Sequence, residues 1–278
     1  MPRAVAPVIR DAVRWRARKA KLAVRHFPIR LRAWRAFRRN VSAYRVLDEA
    51  HLRATRKSDT VFIFGSGASL NAISPEDWQA IEGYDTIGFN WFVRQSFVRC
   101  DYHLIREIVD KDLDGSWRAA FPEYFRLVRD QPKYAETIFL VQTGFRATSG
   151  NLAIGHRFIP LANRIFLWRT LDRALPSGSI AEGLSHGHGT LNECINFAAL
   201  MGWRHIVLAG VDLYDRSYFW LRPGETLPRD TTVATPHRTA GIIQGIGAWR
   251  DIFNREGINL YAYNPLSLLV PTLPVWRW

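Results

Sequence analysis

Apolar and polar positions change rhythm near residue 58. Before it, Val13, Ala17, Ala20, Val24, Phe27, Leu31 and Trp34 recur at alternating spacings of four and three, with Arg14, Arg16, Arg18, Lys19, Lys21 and Arg25 between them. That period predicts an amphipathic helix, broken or kinked near Pro28. After it, short apolar runs alternate with helical patterns. Val61-Phe62-Ile63-Phe64 stops at Gly65-Ser66-Gly67-Ala68-Ser69-Leu70, a buried strand feeding a glycine turn. Ser74–Ile81 predicts a helix with Ser74 as N-cap, Pro75 at its first position and Glu76 and Asp77 in its first turn. Asp85–Asn90 reads as a second strand, Ile138–Val141 as a later one and Thr143–Asn151 as a Gly/Ser/Thr turn. Thr190–Met201 has helical spacing ended by Gly202, and His205–Ala209 is a strand that runs into Gly210-Val211-Asp212. Pro236–Asn254 predicts another helix and Ile258–Tyr263 a strand before the turn Asn264-Pro265. Strands alternating with helices predict an α/β fold: one doubly wound, mostly parallel, Rossmann-like domain over residues 58–278, with a small lid near 215–237 and a helical arm over 1–57.

Charge sharpens that boundary. Residues 1–57 hold 17 of the 38 Lys/Arg and three of the 25 acids, Asp11, Asp48 and Glu49, so the arm carries +14 and the remainder −1. A near-neutral body argues against a nucleic-acid-binding domain. Trp15 and Trp34 among arginines suit the headgroup boundary of an anionic membrane. A helix packed on the body, a presequence and a nucleic-acid contact remain open for the same residues. Cys100 and Cys194 have no metal spacing, the start has no uninterrupted apolar signal region and no window spans a bilayer. The expected location is the cytoplasm.

In an open α/β sheet, ligands collect at the carboxyl ends of the strands, and five segments fall there. Gly65, Ser66, Gly67 and Ser69 let backbone N–H groups approach a phosphate, or simply form a tight turn. Asn90 ends the second strand. Gly189 and Thr190 open a helix, where Thr190 serves as a cap or a ligand contact. Asp212, Tyr214 and Tyr218 put a carboxylate and two phenols past a strand end. His237 stands at the start of a helix, and a histidine is the natural general base at neutral pH. His186 and His188 lack a second ligand pair for a metal. Asp110-Lys111-Asp112-Leu113-Asp114-Gly115 imitates two cation motifs: the start of a calcium loop, which Phe121 at the twelfth position excludes, and the Asp-x-Asp of metal-dependent sugar transferases, which leaves a Mg²⁺/Mn²⁺ site or a solvated acidic loop open.

These segments, in this order, resemble the bacterial sialyltransferases of glycosyltransferase family 42 and, more distantly, flagellin-modifying transferases and domain-of-unknown-function proteins sharing their nucleotide-binding core. Gly65-Ser66-Gly67-Ala68-Ser69-Leu70 resembles the family's Gly-Asn-Gly-Pro-Ser-Leu. Asn90 matches an Asn ending the second strand, Gly210-Val211-Asp212-Leu213-Tyr214 a strand end with Tyr218 after it, and His237 the histidine ahead of a helix, a strand and Pro265-Leu266-Ser267-Leu268-Leu269. The resemblance spans about residues 60–270. Ser66 stands where the family has Asn, Arg106 or its neighbours stand where another Asn is expected, the loop before Thr190 lacks Ser-Gly and the basic segment is N-terminal.

The resemblance implies a variant GT-A domain and an inverting glycosyltransferase. It would move a sialic-acid-like sugar from a CMP-activated donor to a glycan or glycolipid hydroxyl, without cofactor or metal. His237 would be the base, Tyr214 and Tyr218 would hold the departing phosphate, and Gly65, Ser66, Gly67, Ser69, Asn90, Gly189, Thr190 and Asp212 would bind the donor. The arm would hold the protein on the inner face of the membrane, with no nucleic acid as partner and homo-oligomers left open. The alternatives are another nucleotide-sugar transferase of the same core, a Mg²⁺-dependent pyrophosphokinase-like phosphotransferase using Asp110–Asp114, and a non-catalytic membrane-recruited nucleotide-binding protein.

Overall fold

The structure, a computed structural model, describes residues 24, 26–106, 116–213, 217–225 and 236–278, the side chains of 116–120 and 236–238 excepted. Strands β1 (Arg45–Val46), β2 (Thr60–Phe64), β3 (Asp85–Phe89), β4 (Tyr102–Ile105), β5 (Ile138–Gln142), β6 (Arg164–Trp168), β9 (His205–Ala209) and β10 (Asn259–Ala262) form one sheet in the order β1-β6-β5-β4-β3-β2-β9-β10. Every pairing in it is parallel. The chain winds outward from β2 to β6, then returns past the short pair β7 (Thr170–Leu171) and β8 (Leu184–Ser185) to place β9 on the other flank of β2. Connections leave β2 and β9 in opposite directions, so the switch point of the winding lies between them.

Alternation along the strands divides the core. Val61, Ile63, Ile87, Leu104, Leu140, Ile206 and Leu208 face α6 (Thr190–Met201) and α7 (Pro236–Arg255). Phe62, Phe64 and Val207 face α3 (Pro75–Ile81), while Ile105, Phe139, Val141 and Ile165 face α4 (Ser116–Asp130), α5 (Thr148–Gly155) and a first helix, α1, over residues 26–40. Burial on both faces explains why these strands read as unbroken apolar runs. The expected ends hold where a cap sets them. The Ser74 hydroxyl accepts from Asp77 N at 3.0 Å at the start of α3, and Gly202 ends α6 in the left-handed conformation.

Three expectations change. Residues 33–57 belong to the body rather than to a separate arm: Ala33, Phe37, Tyr44, Leu47 and, on α2 (Glu49–Arg53), Leu52 are buried, and β1 pairs with β6. The α1 backbone crosses α5 where Gly155 leaves room, since a Cβ there would collide with Ala36 and Phe37, and Asn40 Nδ2 donates to Gly155 O at 2.9 Å. Helix is continuous from residue 26 through Pro28 to residue 40, so the described residues hold no break there. Thr148–Gly155 is helix, not turn, because Gly150 lets α5 settle on the Gln142 carbonyl of β5, a contact closed to any side chain. At the far edge, residues 274–276 run along β10, with Ala262 N donating to Pro274 O at 3.0 Å and Trp276 N to Ala262 O at 2.9 Å. Among the described residues no helix is long and apolar enough to cross a membrane.

His103 on β4 is fully buried, its Nε2 2.6 Å from the Tyr124 hydroxyl, and burial holds its imidazole far below the usual histidine value, at about 3. The unfolded chain takes up that proton near pH 6.5 while the folded chain refuses it. Stability should therefore be full above about pH 6.5 and fall toward pH 3, by up to about 1.4 kcal/mol per pH unit. Urea midpoints at pH 7, 6 and 5 check this: wild type should lose stability over the range, and His103→Gln should show a flatter dependence.

Candidate functional site

The glycine turn after β2 folds over the end of β9. Gly65 N donates to Ala209 O and Gly67 N to Gly210 O, both at 2.8 Å. The next contact is side chain to side chain. Asp212, 4% exposed, accepts from Ser69 N at 3.0 Å, Ser69 Oγ at 2.5 Å and Asn264 Nδ2 at 2.9 Å, while its own carbonyl accepts from Leu268 N at 3.1 Å. Both carboxylate oxygens are therefore engaged inside the protein. A Cβ on Gly67 would sit on that carboxylate, so the glycine serves the packing of Asp212. The resemblance implies a ligand contact for Asp212. Its geometry makes it a pin that joins the loops after β2, β9 and β10.

The chain beyond Asp212 returns to the same turn. Tyr218 forms a β-bridge with Gly67, Phe219 N donates to Ser66 O at 3.2 Å, and Asn71 Nδ2 donates to Phe219 O at 2.9 Å. Tyr218 stacks on Trp220 with ring centres 4.7 Å apart. Tyr214, Asp110–Asp114 and the lid residues 226–235 lie outside the described residues.

Helix order places the remaining candidates. α6 ends beside the start of β9, so its first turn, with Gly189 and Thr190, lies at the carboxyl edge of the sheet; α7 ends before β10, which sets the His237 backbone at the same edge. The loop before α6 is tied to α7 by His188, whose imidazole fills the space that a Cβ on Gly245 would need. Asn90 ends β3 at φ 52, exposed, in the left-handed region. The turn over residues 65–69, Asn90, Gly189–Thr190, Asp212, Tyr218 and the first turn of α7 thus share one edge, around the switch point.

Sequence reasoning missed Glu193, Thr170 and Gln142 beside them, and weighed Arg106 and His186 without bringing them together. Glu193, in the first turn of α6, is 0% exposed, and its Oε1 accepts from Thr170 Oγ1 at 2.8 Å; Gln142 Nε2 donates to that hydroxyl at 2.6 Å. Arg106 Nε stands 3.1 Å and His186 Nδ1 3.3 Å from the same Oε1, neither aligned as a hydrogen bond. The one available signal was a carboxylate among the apolar positions Leu191, Cys194, Ile195 and Ala198 of α6. Among the described residues no group of three or more His, Cys, Asp and Glu side chains is arranged to hold a metal. No family model matches the chain, and no curated protein matches it.

Because Asn90 adopts a conformation that costs other L-residues about 1–2 kcal/mol, Asn90→Ala should lose about that much stability while Asn90→Gly stays close to wild type. Urea unfolding of the two variants checks the backbone role, and nucleotide affinity of the folded Asn90→Gly protein reads any contact made by the amide.

Proposed function

We propose that the switch-point crevice binds a CMP-activated, sialic-acid-like sugar and that the protein transfers the sugar, with inversion and without metal, to the hydroxyl of a glycan or glycolipid. The observation that carries this reading is the closure of Gly65–Ser69 over Gly210–Asp212 at the point where the sheet reverses its winding, with Tyr218 bridged to the same turn. Ligands of open α/β sheets bind at such points. In this reading the backbone of residues 65–69 with Asn90, Gly189 and Thr190 holds the nucleotide, and Asp212 keeps the loops in register. Tyr214 and Tyr218 donate hydrogen bonds to the departing phosphate, and His237 takes the proton of the acceptor hydroxyl as it attacks the anomeric carbon. The domain is then a variant GT-A fold whose residues 215–237 exclude water from a hydrolysable donor.

Assays of CMP-, UDP- and GDP-sugars with and without Mg²⁺ test the class. Transfer from a CMP-sugar should survive excess EDTA, and His237→Ala should lower kcat by about 10²–10⁴ with donor affinity little changed. The acidic limb of the kcat/KM profile should vanish in the variant. Activity abolished by EDTA and restored by Mn²⁺ would sink the tyrosine assignment, and unchanged transfer by a folded His237→Ala protein would remove that residue.

The location proposed is the inner face of the membrane, through the arm. Supporting it, α1 packs with one side only: Arg32, Arg35, Arg38 and Arg39 are exposed on the other, and Val24 and Phe27 stand 75% and 52% exposed at its start. The full chain should sediment with vesicles containing anionic lipid, less so as salt rises. Each Arg→Gln change on that side should weaken binding about fivefold. Binding that ignores both salt and these substitutions would exclude the arm as the contact.

A further inference from the structure

A fully buried carboxylate normally has partners on both oxygens, because each lone pair taken from water must be repaid by a donor. Glu193 does not. Thr170, Arg106 and His186 all gather at Oε1, whereas Oε2 is buried with no hydrogen-bond partner among the described residues. On the far side of the Thr170 hydroxyl, Gln142 uses its Nε2 and leaves Oε1 equally buried and unpartnered. Two unmet acceptors are thus joined through one hydroxyl, with two poorly aligned donors, Arg106 Nε and His186 Nδ1, beside them. The five residues come from different segments: the end of β4, the end of β5, β7, the residue after β8 and the first turn of α6. All but Glu193 keep part of their surface in solvent, while the four unmet atoms themselves are buried, so a ligand's hydroxyls meet them only as the partly exposed Arg106 and His186 side chains move aside.

The mixture of unmet groups selects the ligand chemistry. A phosphate or carboxylate only accepts, so it would meet Glu193 and Gln142 with repulsion. An ammonium only donates, so it would meet Arg106 the same way. A hydroxyl does both, and neighbouring hydroxyls on one ring can donate to Glu193 Oε2 and Gln142 Oε1 while accepting from Arg106 and His186. The Arg106 guanidinium offsets the Glu193 charge, so the group as a whole suits the uncharged, hydroxyl-bearing side of a sugar, away from the carboxylate that a sialic-acid-like sugar carries at its anomeric carbon.

We infer that Glu193 and Gln142 form a hydroxyl-accepting subsite for the glycosyl part of the ligand, separate from the nucleotide contacts at the switch point. The inference rests on reading the crevice as a nucleotide-sugar site, and it assigns the sugar hydroxyls to residues that carry no part of the motif resemblance. Glu193 and Gln142 hold the ring from the β4–β7 side, Thr170 sets the spacing between them, and Arg106 and His186 supply the return hydrogen bonds.

Calorimetry on the full chain tests it, titrating CMP against CMP-N-acetylneuraminate, UDP against UDP-N-acetylglucosamine and GDP against GDP-mannose. In wild type at least one intact donor should bind about tenfold or more tighter than its nucleotide, the worth of hydrogen bonds to a charged acceptor. Glu193→Gln and Gln142→Met should each reduce that increment to within about twofold, leaving nucleotide affinity at the wild-type value. If Glu193→Gln fails to fold, Gln142→Met, on a half-exposed side chain, decides alone. Nucleotides that bind while intact donors gain nothing, or an increment that survives in the folded variants, would overturn the subsite and leave the nucleotide reading standing. Failure of every nucleotide to bind wild type would overturn both.

Discussion

The carboxylate of Asp212 holds the working edge of this protein together. A buried charge needs partners close at hand, and here they are supplied by loops far apart in sequence: Ser69 after β2 and Asn264 after β10. Satisfying that one group dictates the rest of the local geometry. Gly67 must lack a side chain because the carboxylate occupies the space, and Gly210 must be glycine because its backbone is left-handed and Leu70 packs where its Cβ would go. The glycine pattern that looks like a cradle for a ligand is, in the first place, the imprint of a carboxylate drawn into the seam between β2 and β9.

That distinction explains what could be read in advance. β2, β3 and β9 were legible because strands buried on both faces leave unbroken apolar runs, and α3 and α6 because a serine cap and a left-handed glycine mark their ends. α4 was not. Phe121, Tyr124, Phe125 and Val128 keep the helical spacing that buries them, but Pro122 lies inside the same helix and reads as a stop. α5 was mistaken for a turn because the small residues that let it approach β5 are also turn formers. The edge with Asn90, Gly189, Thr190 and Asp212 was found because strand ends can be located along a chain. The group around Glu193 was not, since residues 106, 142, 170, 186 and 193 share no spacing and meet only when the sheet is assembled.

The basic N-terminal segment shows a similar division of labour. Its charge density marks residues 1–57 as one unit, yet hydrophobic burial draws Ala33, Phe37, Tyr44, Leu47 and Leu52 into the core. Ala33 and Phe37 bury against α5 while Arg32, Arg35, Arg38 and Arg39 are exposed, so a single helix belongs to the core on one side and keeps its cationic character on the other. Composition reports the second property and is silent about the first.

The flanks of the sheet carry a further consequence. A parallel sheet of eight strands has two rims whose unpaired backbone groups invite another chain to add on. Here β1 reduces one rim to two residues, Arg45 and Val46, and residues 274–276 lie along the other, giving the β10 backbone neighbours from its own chain. Strand addition is thereby hindered at the Ala262 end of one rim and meets a strand of only two residues at the start of the other. A second copy of the chain would therefore meet an interrupted row of backbone groups at either rim of the described sheet rather than a long open edge.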